Sequence, residues 1–265
     1  MTNFTVRAYA GEHDLSAMLT LIRARPAALV LDFPSLYDLH EIMGTASRRA
    51  NTQLWLADDG HLLGFAILDL GFNTMWAEVA TGASAELLFA QMIAWAIERL
   101  RQPHEALHNA GVLQMSCRAE YTAHLAQLQQ HGSVQEDRHT VLMTRPLHEP
   151  IPAPQAPPGF TIRHVHGEEE AAAVAALHRA AFGSTAMTTE NRLVIMRVPE
   201  YDQTVDWVAV APNRSLAAYV LGSISQEENA LAGIQRGYTD PVATHPDYHR
   251  RGLARALLLT GLHIL

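Results

Sequence analysis

The residue types able to do chemistry gather in one run, Val242-Ala243-Thr244-His245-Pro246-Asp247-Tyr248-His249-Arg250-Arg251-Gly252-Leu253-Ala254-Arg255. It reads as a short apolar strand, Pro241 to Thr244, then a polar turn, then a helix starting near Gly252 that is apolar on most sides. A helix start leaves several backbone N–H groups without intrahelical partners, and the helix dipole places its positive end there. Such a turn binds anions. Arg250, Arg251 and Arg255 add positive charge in a chain whose formal net charge is -8, so the expected ligand is a phosphate or pyrophosphate. The bland alternative is a basic cap on a solvated loop.

A second arrangement is His104-Glu105-Ala106-Leu107-His108, the His-Glu-x-x-His zinc-hydrolase pattern, in which His104 and His108 would share a helix face with Glu105 as base. Its context opposes that use. Pro103 precedes it, Gly111 follows it, and Gln114 stands where a third ligand would be needed. Zinc is therefore not expected, and a zinc hydrolase is kept as the remote alternative.

The run His249-x-x-Gly252-x-Ala254 resembles the Arg/Gln-x-x-Gly-x-Gly/Ala signature of the GNAT superfamily of acyl-CoA N-acyltransferases, with His249 in place of the usual Arg or Gln. The resemblance implies acetyl-CoA as co-substrate and an amine of a small molecule as acceptor. It implies that His249, Arg250, Arg251, Gly252, Leu253, Ala254 and Arg255 cradle the pyrophosphate, and that the backbone of Val242, Ala243 and Thr244 pairs with the pantetheine arm. It also places a catalytic carboxylate close to that strand, for which Asp240 is the candidate, since the attacking amine must first lose a proton. An Asp-Pro pair that merely shapes a turn is the rival role for Asp240. Arg192, Arg197, Glu200 and Tyr201 fall in the segment that lines the acceptor site in that family, with a solvated helix face as the alternative.

The elements that must position these residues form two similar sets. Phe4 to Tyr9 alternates as a strand, and a helix follows from Leu15 to Arg25. A second helix is expected over Leu36 to Arg49, a hairpin around Asp58-Asp59-Gly60, a strand from Met75 to Thr81, and a long apolar helix from Ala85 to Arg101. Val112 to Cys117 predicts a strand, Glu120 to Gln130 a helix and Thr140 to Thr144 a strand. Prolines then crowd residues 146 to 158, which reads as an extended linker. Beyond it Phe160-Thr161-Ile162-Arg163 echoes Phe4-Thr5-Val6-Arg7, Trp207 to Ile224 echoes the hairpin, and Val242-Ala243-Thr244 echoes Val79-Ala80-Thr81. Glu168-Glu169-Glu170 is expected to complement a helix dipole, and Met187 and Met196 to lie in a core.

The expected fold is α/β: two tandem GNAT-like units with mixed sheets, a layout similar to that of the mycothiol synthase type. The boundaries are 1–147 for a degenerate unit, 148–158 for the linker and 159–265 for the acetyl-CoA-binding unit. The first unit carries no arginine in Gly82-Ala83-Ser84-Ala85-Glu86-Leu87, and Glu86 would repel a phosphate. The second is expected to lack the elements that follow Gly252 to Leu265, which leaves an open side for a homodimer to cover. The competing class is a non-catalytic coenzyme A-binding scaffold.

Bulk composition bounds the rest. With 48% apolar and 17% charged residues the chain can build real cores. Its negative charge argues against nucleic-acid binding. The lone Cys117 excludes an intrachain disulfide. No basic segment followed by an apolar run opens the chain, and no run reaches membrane-spanning length, so a cytoplasmic setting is expected.

Overall fold

The structure is a computed structural model that describes residues 4–82, 84–102 and 112–265. It divides into two compact units, Met1–Leu142 and Met143–Leu265. The first unit runs β1 (Phe4–Ala8), α1 (Glu12–Arg23), α2 (Leu36–Gly44), α3 (Ala46–Ala50), β2 (Thr52–Ala57), β3 (Leu62–Asp69), β4 (Thr74–Val79), α4 (Ala85–Arg101) and α5 (Thr122–Gln130). The second runs β5 (Thr161–His164), α6 (Ala171–Phe182), α7 (Thr189–Met196), β6 (Asp206–Val210), β7 (Leu216–Ser223), α8 (Gln226–Ala232), β8 (Tyr238–Thr244) and α9 (Leu253–Leu262).

Each unit holds a four-stranded sheet in simple sequence order, β1-β2-β3-β4 and β5-β6-β7-β8, with every neighbouring pair antiparallel. The expected mixed sheets are thus corrected to antiparallel ones. A strand was expected over Val112 to Cys117 as well. That segment makes only one parallel bridge, Thr74 with Gln114, and stays irregular otherwise. The strand expected over Thr140 to Thr144 is likewise irregular, because Val141, Leu142 and Met143 are exposed and have no sheet to join. The single helix expected over Leu36 to Arg49 is two, since Thr45 takes an extended conformation between α2 and α3.

Alternation along the strands sorts side chains onto two covered faces. In the first unit Leu54, Phe65 and Ile67 pack with α1 and α2, whereas Trp55, Ala66 and Leu68 pack with α4. In the second, Val208, Tyr219 and Ala243 pack with α6 and α7, and Ala209, Ala218 and Val220 pack with α9. Coverage on both faces explains why β3 and β7 are nearly continuous apolar runs.

One local device occurs in both units. Arg7 grips the Asp14 carboxylate with both terminal nitrogens at 2.7 and 2.6 Å, and the Ala10 N–H donates to the same carboxylate at 2.7 Å. Arg163 grips Glu170 at 2.8 and 2.6 Å, and the His166 N–H donates to it at 2.8 Å. Glu170 is therefore committed to Arg163 rather than only facing a dipole, and Glu168 pairs with Arg197 on the surface. The Arg7 hydrogen bond holds Asp14 below the usual carboxylate range. A depressed carboxylate contributes stability that is present above its unfolded pKa and lost as pH falls through the folded one. Asp14→Asn is therefore expected to lower stability by about 1–2 kcal/mol at pH 7 and by progressively less below about pH 4. Urea unfolding of both proteins across that range is the measurement, and a constant difference would contradict the linkage.

Strand register corrects the match between the halves. Phe65 pairs with Glu78, and Tyr219 pairs with Ala243. The Ala80 N–H donates to Leu63 O, and the His245 N–H donates to Ala217 O, both at 2.8 Å. Val242-Ala243-Thr244 thus corresponds to Ala77-Glu78-Val79, not to Val79-Ala80-Thr81. A two-residue slip keeps every side chain on its proper face, so sequence likeness alone does not detect it.

Candidate functional site

β8 is the edge strand of its sheet, and it carries a bulge. Val220 pairs with Val242 but Gly222 pairs with Thr239, so Asp240 and Pro241 together face Leu221. Proline supplies no N–H to the ladder and suits such an irregularity. Past the bulge the register resumes. The His245 N–H faces β7, so by alternation Ala243 does too, and the N–H and C=O groups of Val242 and Thr244 face the free edge. These are backbone groups able to pair with an extended ligand.

The chain then turns sharply. His245 Nδ1 accepts from the Asp247 N–H at 3.2 Å, and Pro246–Tyr248 forms a single 3-10 turn. Arg250 has φ 59° and Gly252 has φ 85°, both left-handed, which curls the successive N–H groups toward one side. Helix α9 starts at Leu253 with no side-chain cap on its N-terminus. Space above Gly252 is open, since nothing lies within 4 Å of where a side chain would begin. Uncapped donors, a left-handed glycine and open space together fit a phosphate-bearing ligand.

The arginines of the turn divide by role. Arg251 lies over the Tyr248 ring at 5.5 Å and over Phe160 at 6.0 Å, and it donates to Asp247 O at 3.4 Å. Tyr248 is held in turn by Ser215 at 2.9 Å. Arg251 thus braces the turn. Arg250 and Arg255 are exposed and have no ion-pair partner among the described residues. The His249 ring meets Thr244 O at 3.0 Å, so this side chain caps an edge carbonyl rather than standing among the anion-facing donors. Leu253 is buried and Ala254 partly so, and both contribute N–H groups only.

Asp240 is exposed on the bulge, yet enough protein surrounds its carboxyl for burial to push its pKa up. That direction favours a base working nearer neutral pH.

On the opposite face of the sheet a polar group is set into the core. Arg192 and Asp206 form an ion pair with side chains 2% and 0% exposed. Tyr201 donates to Asp206 at 2.6 Å. Burial pushes the Asp206 carboxyl up, while Arg192 and the Tyr201 hydroxyl pull the other way. Asp206 Oδ1 and Arg192 Nε have no hydrogen-bond partner among the described residues. Next to this pair His178 Nδ1 lies 2.5 Å from the Tyr219 hydroxyl, with Phe182 stacked on the imidazole at 4.5 Å. Arg192 is therefore not on a solvated helix face, whereas Arg197 is. Met196 is core, as expected. His178, Asp206 and Tyr219 were missed from sequence, and the signal that could have found them is their alignment with the uncharged Ile22, Thr52 and Phe65 of the first half.

In the first unit the helix corresponding to α9 is α4, which carries Glu86 and no arginine in its first turn. The His104-Glu105-His108 pattern lies outside the described residues. Among the described residues no group of three metal-ligating side chains comes together, and no helix is long and apolar enough to cross a membrane.

No family model matches the chain, and no curated protein matches it. Solved structures do. A GCN5-related N-acetyltransferase from Sphaerobacter thermophilus is 22% identical with a TM-score of 0.59, covering 98% of this chain and 82% of that one. The GCN5-related glucosamine N-acetyltransferase region of a fungal multi-domain GH3 β-N-acetylglucosaminidase is 12% identical with a TM-score of 0.56, and this chain spans 34% of that protein. The chain has the GNAT N-acetyltransferase fold.

Proposed function

We propose that the second unit moves an acetyl group from acetyl-CoA to the amine of a small molecule. One observation carries the reading: an edge strand whose outward backbone groups make no strand pairing, Thr244 O meeting only the His249 ring, runs straight into an uncapped, arginine-bearing helix N-terminus. That is a linear site for an extended ligand ending in phosphates. The N–H groups from Arg250 to Arg255, with the Arg250 and Arg255 side chains, hold the pyrophosphate. The edge of Val242 to Thr244 pairs with the amide-bearing arm, and His249 leaves Thr244 O to make room. Asp240 takes the proton that an ammonium acceptor sheds before attack. The first unit serves as a scaffold, with boundaries near residues 147 and 159. A second copy of the chain covering the open side of the second unit beside α9, clear of the β8 edge, and a cytoplasmic setting belong to the same proposal.

Calorimetry with acetyl-CoA, followed by product detection with a panel of amines that includes glucosamine and spermidine, is the test. Micromolar binding with amide formation is expected. Binding without any product would favour the non-catalytic coenzyme A-binding reading. No binding would end both.

A further inference from the structure

The two units can be superposed residue by residue through features already described, and the comparison isolates one set of positions. Ile22 follows the strand arginine Arg7 by fifteen residues, and His178 follows Arg163 by the same fifteen. Ser35 and Thr188 each form a capping box at the start of α2 and α7, so Leu39 corresponds to Arg192. Strand register matches Phe65 with Tyr219 and Thr52 with Asp206. In the first unit Ile22, Leu39 and Phe65 are 0% exposed and Thr52 is 2% exposed, an almost wholly apolar core. In the second unit the same places hold a histidine, an arginine, a tyrosine and an aspartate.

Replacing packed apolar groups with ionisable ones costs stability, the more so where polar atoms such as Asp206 Oδ1 and Arg192 Nε stay unpartnered. The first unit demonstrates that the fold does not need them. They occur only in the unit that also carries the anion-binding turn. Clusters of this kind mark functional sites.

Their position agrees. Tyr219 pairs across the sheet with Ala243, the residue before Thr244, and both lie in the cluster under α6. Helix α6 packs on both β7 and β8. His178 is half-buried, and its Nε2 has no hydrogen-bond partner among the described residues. Ala243 is small where the first unit has Glu78, which is taken up by Arg25. Burial first, then the charges of Arg192 and Arg179, hold the imidazole below the usual histidine range. The groups around it are Tyr219 from β7, Arg192 from α7, Arg179 on its own helix and Asp206 from β6 behind Arg192; β8 contributes the uncharged Ala243.

We infer that His178 is a further catalytic residue of the second unit, held by the Tyr219 hydroxyl at Nδ1 and taking at Nε2 the second proton that leaves the acceptor nitrogen. This rests on the acetyl-transfer reading. An ammonium acceptor must shed two protons. The first leaves before attack, through Asp240 to solvent. The second is on the nitrogen once the C–N bond has formed. His178 receives it at Nε2, and the Nδ1–H of the resulting imidazolium donates to the Tyr219 oxygen. His178 then passes that proton to the sulfur as the C–S bond breaks and returns to neutral imidazole. The products are an amide, a free thiol and one proton released to solvent.

The test is the double variant His178→Ile/Tyr219→Phe, which installs the pair that the first unit already packs in these places. Acetyl-CoA affinity by calorimetry is expected to be unchanged. Thiol release from acetyl-CoA with spermidine, glucosamine or water as acceptor should fall by about 10²-fold or more. Nitrogen-15 NMR of the parent should show His178 with its proton on Nδ1, Nε2 bare, and titration below the ordinary histidine range. If the double variant does not fold, His178→Gln with the same readouts replaces it. Unchanged thiol release in the variant, or a proton resident on Nε2, would overturn the inference. So would a parent that binds acetyl-CoA yet releases no thiol, while leaving the coenzyme site standing. A parent that does not bind acetyl-CoA would overturn the acetyl-transfer reading itself.

Discussion

Gly252→Glu is expected to weaken acetyl-CoA binding at least 100-fold in calorimetry while the protein still folds. Two separate costs act. Gly252 holds φ 85°, and a side chain in the left-handed region costs about 1–2 kcal/mol, a strain that the free turn sheds by relaxing and must take up again to bind. The new carboxylate also stands at the uncapped N-terminus of α9, where it takes the N–H donors that a phosphate would use and repels the phosphate directly. At a separation of ~4 Å that repulsion is about 1 kcal/mol per charge in bulk water and larger near protein. A hundredfold loss corresponds to about 2.7 kcal/mol, within reach of the sum. Steric clash is not part of the argument, because the space above Gly252 is open. Gly252→Ala separates the two costs, since it keeps the strain and drops the charge, and about tenfold or less is expected. Arg250→Gln and Arg255→Gln should each weaken binding modestly and flatten its salt dependence, since both arginines are exposed. Arg251→Gln should instead lower stability, because Arg251 braces Tyr248 and Phe160. Unchanged affinity in Gly252→Glu would remove the turn from the site.

Arg192→Leu is expected to destabilise the second unit by about 3–5 kcal/mol in urea unfolding. The Asp206 side chain is 0% exposed, and its carboxylate would lose its only counter-charge among the described residues. The paired change Arg192→Leu/Asp206→Thr, which copies Leu39 and Thr52 of the first unit, should recover that loss and end from neutral to about 4 kcal/mol more stable. A threonine hydroxyl would still accept from Tyr201. The contrast between single and double variants is the informative quantity, because it distinguishes a pair kept for stability from one kept for another purpose. If the double variant is as unstable as the single one, the ion pair is structural, and its placement beside His178 carries no functional weight.

Much of this was legible in the chain. Most strands showed through alternation or apolar runs between turn signals, α1, α4 and α9 through their apolar faces, and the break after residue 145 through its prolines, whereas the all-antiparallel pairing did not show. The turn at Gly252 was legible because its parts are local: a glycine, a helix start and arginines a few residues apart. The irregular course of residues 112 to 117 was not, since their alternation has the right period for a strand but finds a bridge partner only at Thr74. Pairing is a property of two segments, and one segment cannot announce it.

The sequence by itself determined the two αβ units, the turn and helix start at Gly252, and the absence of arginine from the matching stretch of the first half. The tertiary structure alone decided which residues of the two halves correspond, because a two-residue slip leaves strand patterning intact. It also decided that Arg251 braces while Arg250 and Arg255 face outward, and that the His249 ring sits on Thr244 O. And it brought His178, Arg192, Asp206 and Tyr219 to one place from two helices and two strands. In the chain they are far apart, with His178 beside Arg179 and Arg192 after Glu190 and Asn191. Only packing gathers the four into one cluster around the buried Arg192–Asp206 pair.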